Sequence, residues 1–465
     1  MSDKKQGPRG WSHKGQSRRQ FLKKTSAGVA LFHFVPAHVL RGADKPSEKI
    51  NIAAIGGGGR AGANLRRCGG ENIVAVADVD DTRAAKSHER FPQAKRYKDF
   101  RVMLDEMDQK IDAVLVGTPD HTHAVAVLDA VGRGKHVYCE KPLSHSIFES
   151  RQMLTASRAA GVITQLGNQG KSFKSIRQFV EMIWDGAIGD VTEIHISCQA
   201  LSEHYSRVHD LPSLTEKHPI PKDLDWDLWL GPAPDRSYHP YYVPFSWRGW
   251  MDYGTGCIGD WICHMLDPSM WALGLDVVTS VHAEIDPTYD LEKHAFTYPS
   301  ATKITFEFPA KGNRGPVKLV WFDGTNIMPR PDTMEADQEV PKLGVIVYGT
   351  KGAIVHGSHG AHKARIIPES RRKEYQPPEP SIPRVENHQQ DWLEAIRNNR
   401  PAGSDFEYGA NLTEVGLLGA IAIRFPKQKL EWDSAAMKFT NFPAANAYVR
   451  PTYRDGWDLR RRRRV

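Results

Sequence analysis

The chain has 465 residues, 40% apolar and 25% charged, with a formal net charge of +7; that length suits about two domains, and the composition is that of a globular protein. The charge implies no nucleic-acid surface, because residues 1–45 carry +8 and Arg460–Arg464 another +5, leaving about −6 on the body. Five scattered cysteines without a C-x-x-C pair (Cys68, Cys139, Cys198, Cys257, Cys263) support neither a disulfide framework nor a zinc site, and no apolar run reaches the ~18 residues of a membrane span.

Residues 1–46 read as a leader. Arg18 and Arg19 in "SRRQFLK" precede a modest apolar run interrupted by His33, Pro36 and His38, which resembles a twin-arginine export signal rather than an anchor. Ala37 and Ala43 are the two candidate cleavage points, and Ala37 has the better small-residue context. The expected location is the periplasm or another exported compartment, with the export machinery as a partner.

From Ile50 the pattern changes. "INIAAIG", "NIVAVAD", "IDAVLVGTP", "KHVYCEKP" and "VITQLG" are short apolar runs separated by amphipathic stretches, the signature of buried parallel strands alternating with helices. An α/β, doubly wound Rossmann sheet is therefore expected over residues 47–168. The first strand runs into "GGGGRAG", where two registers of G-x-G-x-x-G/A overlap: Gly56, Gly58, Ala61 and Gly57, Gly59, Gly62. The first is preferred because its leading glycine directly follows Ile55. Such a loop lets the backbone approach a pyrophosphate, and the next helix offers it free N–H groups. Asp78 follows about 20 residues later at the end of the second strand, where a carboxylate accepts ribose hydroxyls and repels a 2′-phosphate. NAD is expected over NADP, with Arg83 keeping the latter open.

Residues 169–440 carry further strand-like runs, among them "VTEIHISCQA", "VTSVHAEI", "TKITFEF", "VKLVWF", "LGVIVYG" and "AIVH". "NHQQDWLEAIRNN" and "LTEVGLLGAIAIRF" read as late helices, within 387–425, and "PESRRKEYQPPEPSIPR" as a Pro-rich connection. Residues 441–465 form an extension ending in arginines.

Three stretches carry chemistry: "TPDHTH" (118–123), "CEKPL" (139–143) and "GTGCIGDWICHMLD" (254–267). Lys141 falls just past a parallel strand, the ligand-binding edge of such a sheet, where its ammonium can hydrogen-bond a reacting hydroxyl. Asp260 and His264 are four apart, so on a helix they share a face; the carboxylate can fix the substrate or the imidazole tautomer while His264 carries the proton. A metal at Asp260, His264 and Asp267 lacks a further ligand with convincing spacing, and none is expected. Residues 226–253 are rich in aromatic and basic side chains, which suits a carbohydrate pocket, a subunit contact or packing beneath a long loop.

With the glycine loop, these motifs resemble the Gfo/Idh/MocA family of oxidoreductases, and "PYYVPFSWRGWMDYGTG" and "LDPSMWALGL" are similar to exported members common in planctomycete bacteria. The resemblance implies a Rossmann domain followed by a C-terminal α/β domain with a large, open, mostly antiparallel sheet, whose exposed face commonly pairs subunits. It implies NAD contacts from Gly56, Gly58, Gly59, Arg60, Ala61, Asp78, Thr118, Pro119, His123, Glu140, Lys141 and Gln169. His123 matches a position near the nicotinamide ribose, while His121 is expected at the surface. Lys141, Trp247, Arg248, Tyr253, Asp260 and His264 are expected at the substrate, with Lys141, Asp260 and His264 as the catalytic set.

The expected activity is hydride transfer between a sugar, sugar-derivative or cyclitol hydroxyl and a tightly bound NAD, retained because free cofactor is scarce outside the cell. A glycosidase using its NAD transiently is the alternative, and a non-catalytic NAD-binding sensor the second.

Overall fold

The computed structural model describes residues 49–459; the twin-arginine motif, both cleavage points and the arginine tail lie outside them. These described residues form one compact unit. Its first sheet contains β1 (Asn51–Ile55), β2 (Asn72–Ala77), β3 (Lys95–Tyr97), β4 (Ala113–Val116), β5 (His136–Cys139) and β6 (Thr164–Leu166). They pair in parallel in the order β3-β2-β1-β4-β5-β6, the doubly wound order of a Rossmann sheet. Ile52, Ala53, Ala54, Val114 and Leu115 are fully buried, since helices cover both faces and leave no solvent side for polar residues.

The helices of this half are α1 (Gly59–Arg67), α2 (Asp81–Arg90), α3 (Phe100–Met107), α4 (Asp120–Gly132) and α5 (Ile147–Ala160). α5 is fixed at its start by a capping box between Ser146 and Glu149 and stopped by left-handed Gly161 (φ +63°).

After α6 (Lys174–Trp184), the chain builds a nine-stranded sheet from β7 (Val191–Cys198), β8 (Ser280–Ile285), β9 (Thr302–Phe308), β10 (Val317–Phe322), β11 (Leu343–Gly349), β12 (Gly352–Gly357), β13 (Arg365–Ile367), β14 (Lys429–Asp433) and β15 (Lys438–Phe439). The order is β13-β12-β11-β7-β10-β9-β8-β14-β15. Every pair is antiparallel except β7 with β10, giving the large, open, mostly antiparallel sheet expected. The Pro-rich connection contains a short helix the sequence reading missed, within the set α7 (Trp226–Leu230), α8 (Gly256–Met265), α9 (Asp267–Leu273), α10 (Glu369–Glu374), α11 (His388–Arg397) and α12 (Phe406–Ile423).

Two late helices return to the nucleotide half, and the second of them also packs on the large sheet. On α11, His388 Nε2 meets Leu166 O at 2.6 Å, Gln389 donates to Asn64 (2.9 Å), and Trp392 is buried among β-sheet residues of the nucleotide half. α12 packs against α5, β6, α8 and β8. Its glycines permit this: a Cβ on Gly416 would stand 2.7 Å from Ile262, and one on Gly419 2.9 Å from Ile258. No helix among the described residues is long and apolar enough to cross a membrane.

Candidate active site

A cleft of about 810 Å³ runs from the glycine loop to α8. At its nucleotide end β1 stops at Ile55, and Gly56 turns the chain with φ +92°, its N–H donating to Ala77 O at 2.7 Å. A Cβ there would press within 3.0 Å of Gly117 O, so both conformation and space require glycine. Gly58 is the extended N-cap of α1, which has no acidic residue in its first turn and no side-chain cap. Its free N–H groups are therefore available to an anion. Ala61 is fully buried and does not line the cleft: a Cβ on Gly117 would come 2.6 Å from its own, so its role is close helix–strand packing.

Asp78 Oδ2 accepts the Gly57 N–H (2.7 Å) and Oδ1 the Asp80 N–H (3.0 Å). Burial raises its pKa against the pull of these donors. A carboxylate has about four lone-pair sites, so acceptor capacity remains for ribose hydroxyls. Gly58, Gly59, Arg60, Asp78, Thr118, Pro119, Glu140, Lys141 and Gln169 all line the cleft. Glu140 Oε1 accepts from Asn64 (2.6 Å) and Gln169 (2.8 Å), which fixes both beside the lysine. A glycine cradle with no room for side chains, an uncapped helix start and a strand-end carboxylate together fit a dinucleotide.

At the other end Lys141 Nζ donates to the Asp260 carbonyl (3.1 Å) and forms an ion pair with its carboxylate. Tyr205 OH also donates to Asp260 (2.5 Å), Trp261 Nε1 donates to Tyr205 OH (2.8 Å), and Arg248 Nε lies 3.4 Å from Asp260 Oδ2. Burial alone would raise the Asp260 pKa, but Lys141, Arg248 and Tyr205 more than reverse this and hold it well below the ordinary carboxylate range. Asp260 itself does not line the cleft; it stands behind Lys141 and sets that side chain's position.

Residues 260 and 264 share a face of α8, as the spacing requires. His264 lines the cleft beside Lys141, and its buried Nδ1 has no hydrogen-bond partner among the described residues. Burial, then the charge of Lys141 and the neighbouring His359, drive its pKa far down, so it is a neutral base.

Besides Ala61 and Asp260, which stand behind the cleft wall, three more positions differ from expectation. Both ring nitrogens of His123 meet backbone carbonyls, of Pro142 and Thr118, each at 2.9 Å, and the side chain is fully buried outside the cleft. It ties the two motif loops together instead of meeting a ribose. His121 is also buried, its ring against the carbonyls of Tyr253 (3.2 Å) and Trp229 (3.1 Å), and not at the surface. Tyr253 lies inside an aromatic cluster with Trp229, Tyr242 and Phe296, away from the cleft wall. The aromatic segment thus divides: Tyr253 packs inward, while Trp229, Phe245, Trp247 and Arg248 line the cleft. The Arg248 guanidinium lies 4.4 Å from the Phe245 ring and 4.2 Å from that of Trp247.

The sequence reading missed Asp120, Tyr205 and His359. Asp120 lines the cleft, accepts from Thr255 (2.9 Å) and is raised to about 7, chiefly by burial and then by Asp260. His359 comes from the β12–β13 turn with φ +40°, and its ring lies 4.0 Å from that of His264. Glycine-bracketed "GSHGAHK" was the only available signal.

Asp267, the third group a metal at α8 would need, is turned to Tyr408 OH (2.6 Å) and Lys171 (3.6 Å). Elsewhere Glu216, His218 and His239 bring ligand atoms within 4.8 Å of one another. His239 Nδ1 accepts the Tyr241 N–H (3.2 Å), placing the neutral ring's proton on Nε2, which opposes ligation there.

Residues 50–168 match the NAD-binding Rossmann fold of the Gfo/Idh/MocA oxidoreductase family, and residues 173–459 its C-terminal α/β domain. Myo-inositol 2-dehydrogenase of Thermotoga maritima is 27% identical over 179 residues, 38% of this chain and 48% of that one; the chain spans about half the length of the curated relatives it matches. The WlbA dehydrogenase of Bordetella pertussis, solved with NADH and UDP-GlcNAcA, aligns with a TM-score of 0.56 at 14% identity, over 83% of this chain and 98% of its own. An inositol dehydrogenase homologue from Azotobacter vinelandii, solved with NADH and myo-inositol, gives 0.54 at 15%, over 84% and 100%. Built from both matched domains, the chain belongs to the Gfo/Idh/MocA oxidoreductase family.

Proposed function

We propose that the chain is an NAD-dependent oxidoreductase acting on a CH–OH group of a sugar, sugar derivative or cyclitol. One observation carries this: a single cleft joins the glycine cradle and Asp78 to Lys141 and His264. NAD, when bound, supplies the hydride acceptor or donor. The chain does the rest. Lys141, held by Asp260, donates a hydrogen bond to the reacting oxygen. His264, neutral and lining the cleft beside Lys141, takes the hydroxyl proton in oxidation and returns it in reduction. Trp247, Phe245 and Arg248 offer apolar faces and donors to a polyol. The names of the inositol-dehydrogenase relatives support the substrate class, and Asp78 supports NAD over NADP.

Incubation with myo-inositol and a panel of aldoses, followed by nicotinamide absorbance, tests the reading. Lys141→Ala and His264→Ala are expected to lose about 10²–10⁴-fold in rate with the fold retained; near-normal turnover in both removes the assigned roles.

A second reading is glycoside cleavage by transient oxidation, in which a C–H beside the new carbonyl loses its proton, the glycosidic C–O bond breaks as the aglycone oxygen takes up a proton, water adds to the double bond so formed, and the hydride returns to the carbonyl carbon. His359 favours it, because a second imidazole beside His264 gives that proton a separate acceptor. Release of the aglycone from methyl glycosides decides between the two.

The reading further includes a leader at 1–46, supported by the arginine pair, and domains at 47–168 and 169–440 with an extension at 441–465. It also includes pairing of two copies across the large sheet. Cell fractionation and light scattering test export and assembly.

A further inference from the structure

The end of the cleft beyond Asp78 is walled by segments that the nucleotide-binding sheet does not supply. Asp223–Asp225 is zipped onto the β2–α2 loop: Asp225 N–H donates to Val79 O (2.9 Å), Asp81 N–H donates to Asp223 O (3.1 Å), and Asp80 and Leu224 form an antiparallel bridge. The Lys98 ammonium fastens the same join, donating to Val79 O (3.2 Å) and Asp223 O (2.6 Å).

The C-terminal extension crosses next to this. Arg454 donates to the Asp227 carboxylate (2.6 Å), the Asp227 carbonyl (2.8 Å) and Gly231 O (2.9 Å). The chain then turns through Gly456 (φ +82°), with Trp457 N–H returning to Arg454 O at 3.0 Å. The Trp457 indole is thereby brought back against Phe100, centroids 6.2 Å apart, with the Arg101 guanidinium 4.0 Å over its ring. Trp457 is buried and lines the cleft together with Phe100, Leu224 and Leu228. These four side chains give that end of the cleft an apolar wall, with the Phe100 and Trp457 rings tilted at 49° to each other, on the same cleft as the carboxylate suited to a ribose. A purine base carried by that ribose is the chemistry it fits.

We propose that Trp457 and the Asp223–Leu228 segment form a clasp over the adenosine half of the dinucleotide, so that the cofactor is a resident group retained between turnovers. This rests on the reading that NAD binds in the cleft. Release requires parting the backbone bridge and the Arg454 fork, a local opening rather than diffusion from an open groove.

The test uses the full-length chain purified without added nucleotide. After exhaustive desalting it is denatured, and released NAD(H) is counted per chain; separately, exchange of bound nucleotide against a fluorescent etheno-adenine analogue of NAD is timed. The wild-type chain is expected to retain close to one nucleotide and to exchange it slowly. Trp457→Ala is expected to exchange about 5- to 150-fold faster, the range for losing one base–aromatic contact, and Arg454→Ala, which frees the turn that seats the indole, to exchange faster as well, while Trp457→Phe keeps most of the retention. Equal exchange rates in wild type and both alanine variants overturn the clasp. So does a wild-type chain that binds NAD but exchanges it rapidly, a result that leaves the function reading intact. A chain that neither carries nor takes up NAD overturns both.

Discussion

Asp260→Asn separates a carboxylate that works through Lys141 from one that touches the substrate. The asparagine keeps the shape and can still accept from Tyr205, but it leaves the Lys141 ammonium without its anion and Arg248 nearby. Removing one partner from a buried ion pair costs about 3–5 kcal/mol. Spread over the 411 described residues at about 2.1 cal/mol/K of unfolding entropy each, that lowers Tm by about 4–6 °C. The pH dependence has a definite sign. Because the Asp260 carboxyl is held below its ordinary value of about 3.9, its stabilisation is complete above that pH and is lost as pH falls through the folded pKa. The Tm gap between wild type and variant is therefore widest near neutrality and narrows below about pH 4. Displacement of Lys141 lowers kcat by about 10²-fold. Scanning calorimetry across pH, with nicotinamide absorbance for rate, provides both readouts. The paired variant Lys141→Met/Asp260→Leu recovers most of the lost stability and stays inactive. An unchanged Tm at pH 7, or a Tm gap that does not narrow in acid, refutes the positioning role.

Two further substitutions probe the same pocket. Asp120→Asn keeps an acceptor for Thr255 but cannot ionise; since the Asp120 carboxyl is raised to about 7, wild-type stability falls as pH rises from about 3.9 to 7, so the variant melts at the wild-type temperature at pH 4 and higher at pH 8. His359→Asn suits the left-handed backbone at 359 and leaves the far-ultraviolet circular dichroism unchanged. It also removes a neighbour that depresses His264, so the acid limb of kcat/KM moves to higher pH, and an unmoved profile shows that the stacked rings do not communicate.

The buried strands of the nucleotide half were legible because parallel strands covered on both faces are continuous apolar runs. β3 (Lys95–Tyr97), β13 and β15 were not, being edge segments of two or three residues, nor was β14, whose alternation rests on only Leu430 and Trp432 between charged residues. Lys141 and the Asp260–His264 pair stood out through motif and helical spacing, both local properties. Tyr205 and His359 reach the same pocket across long sequence separations, from a turn and a loop whose course only the sheet determines. His123 and Tyr253 mark the converse limit: a motif gives a residue its place along the chain, but packing decides where its ring points. His123 is held between two carbonyls, and Tyr253 by the rings around it.

The glycines of α12 bear on how a substrate enters. Where Gly416 meets Gly259 and Ile262, the two helices touch with almost no side-chain layer between them, and such a seat resists sliding. The same helix grips α5 and β6 of one half and β8 of the other, so hinge-like gaping has no soft plane along which to occur. Admission to the pocket then falls to its rim, at residues 243–248 and 357–363, whose loops rearrange faster than whole domains rotate. The span from glycine cradle to imidazole is thereby set by close-packed backbone and not by an adjustable hinge.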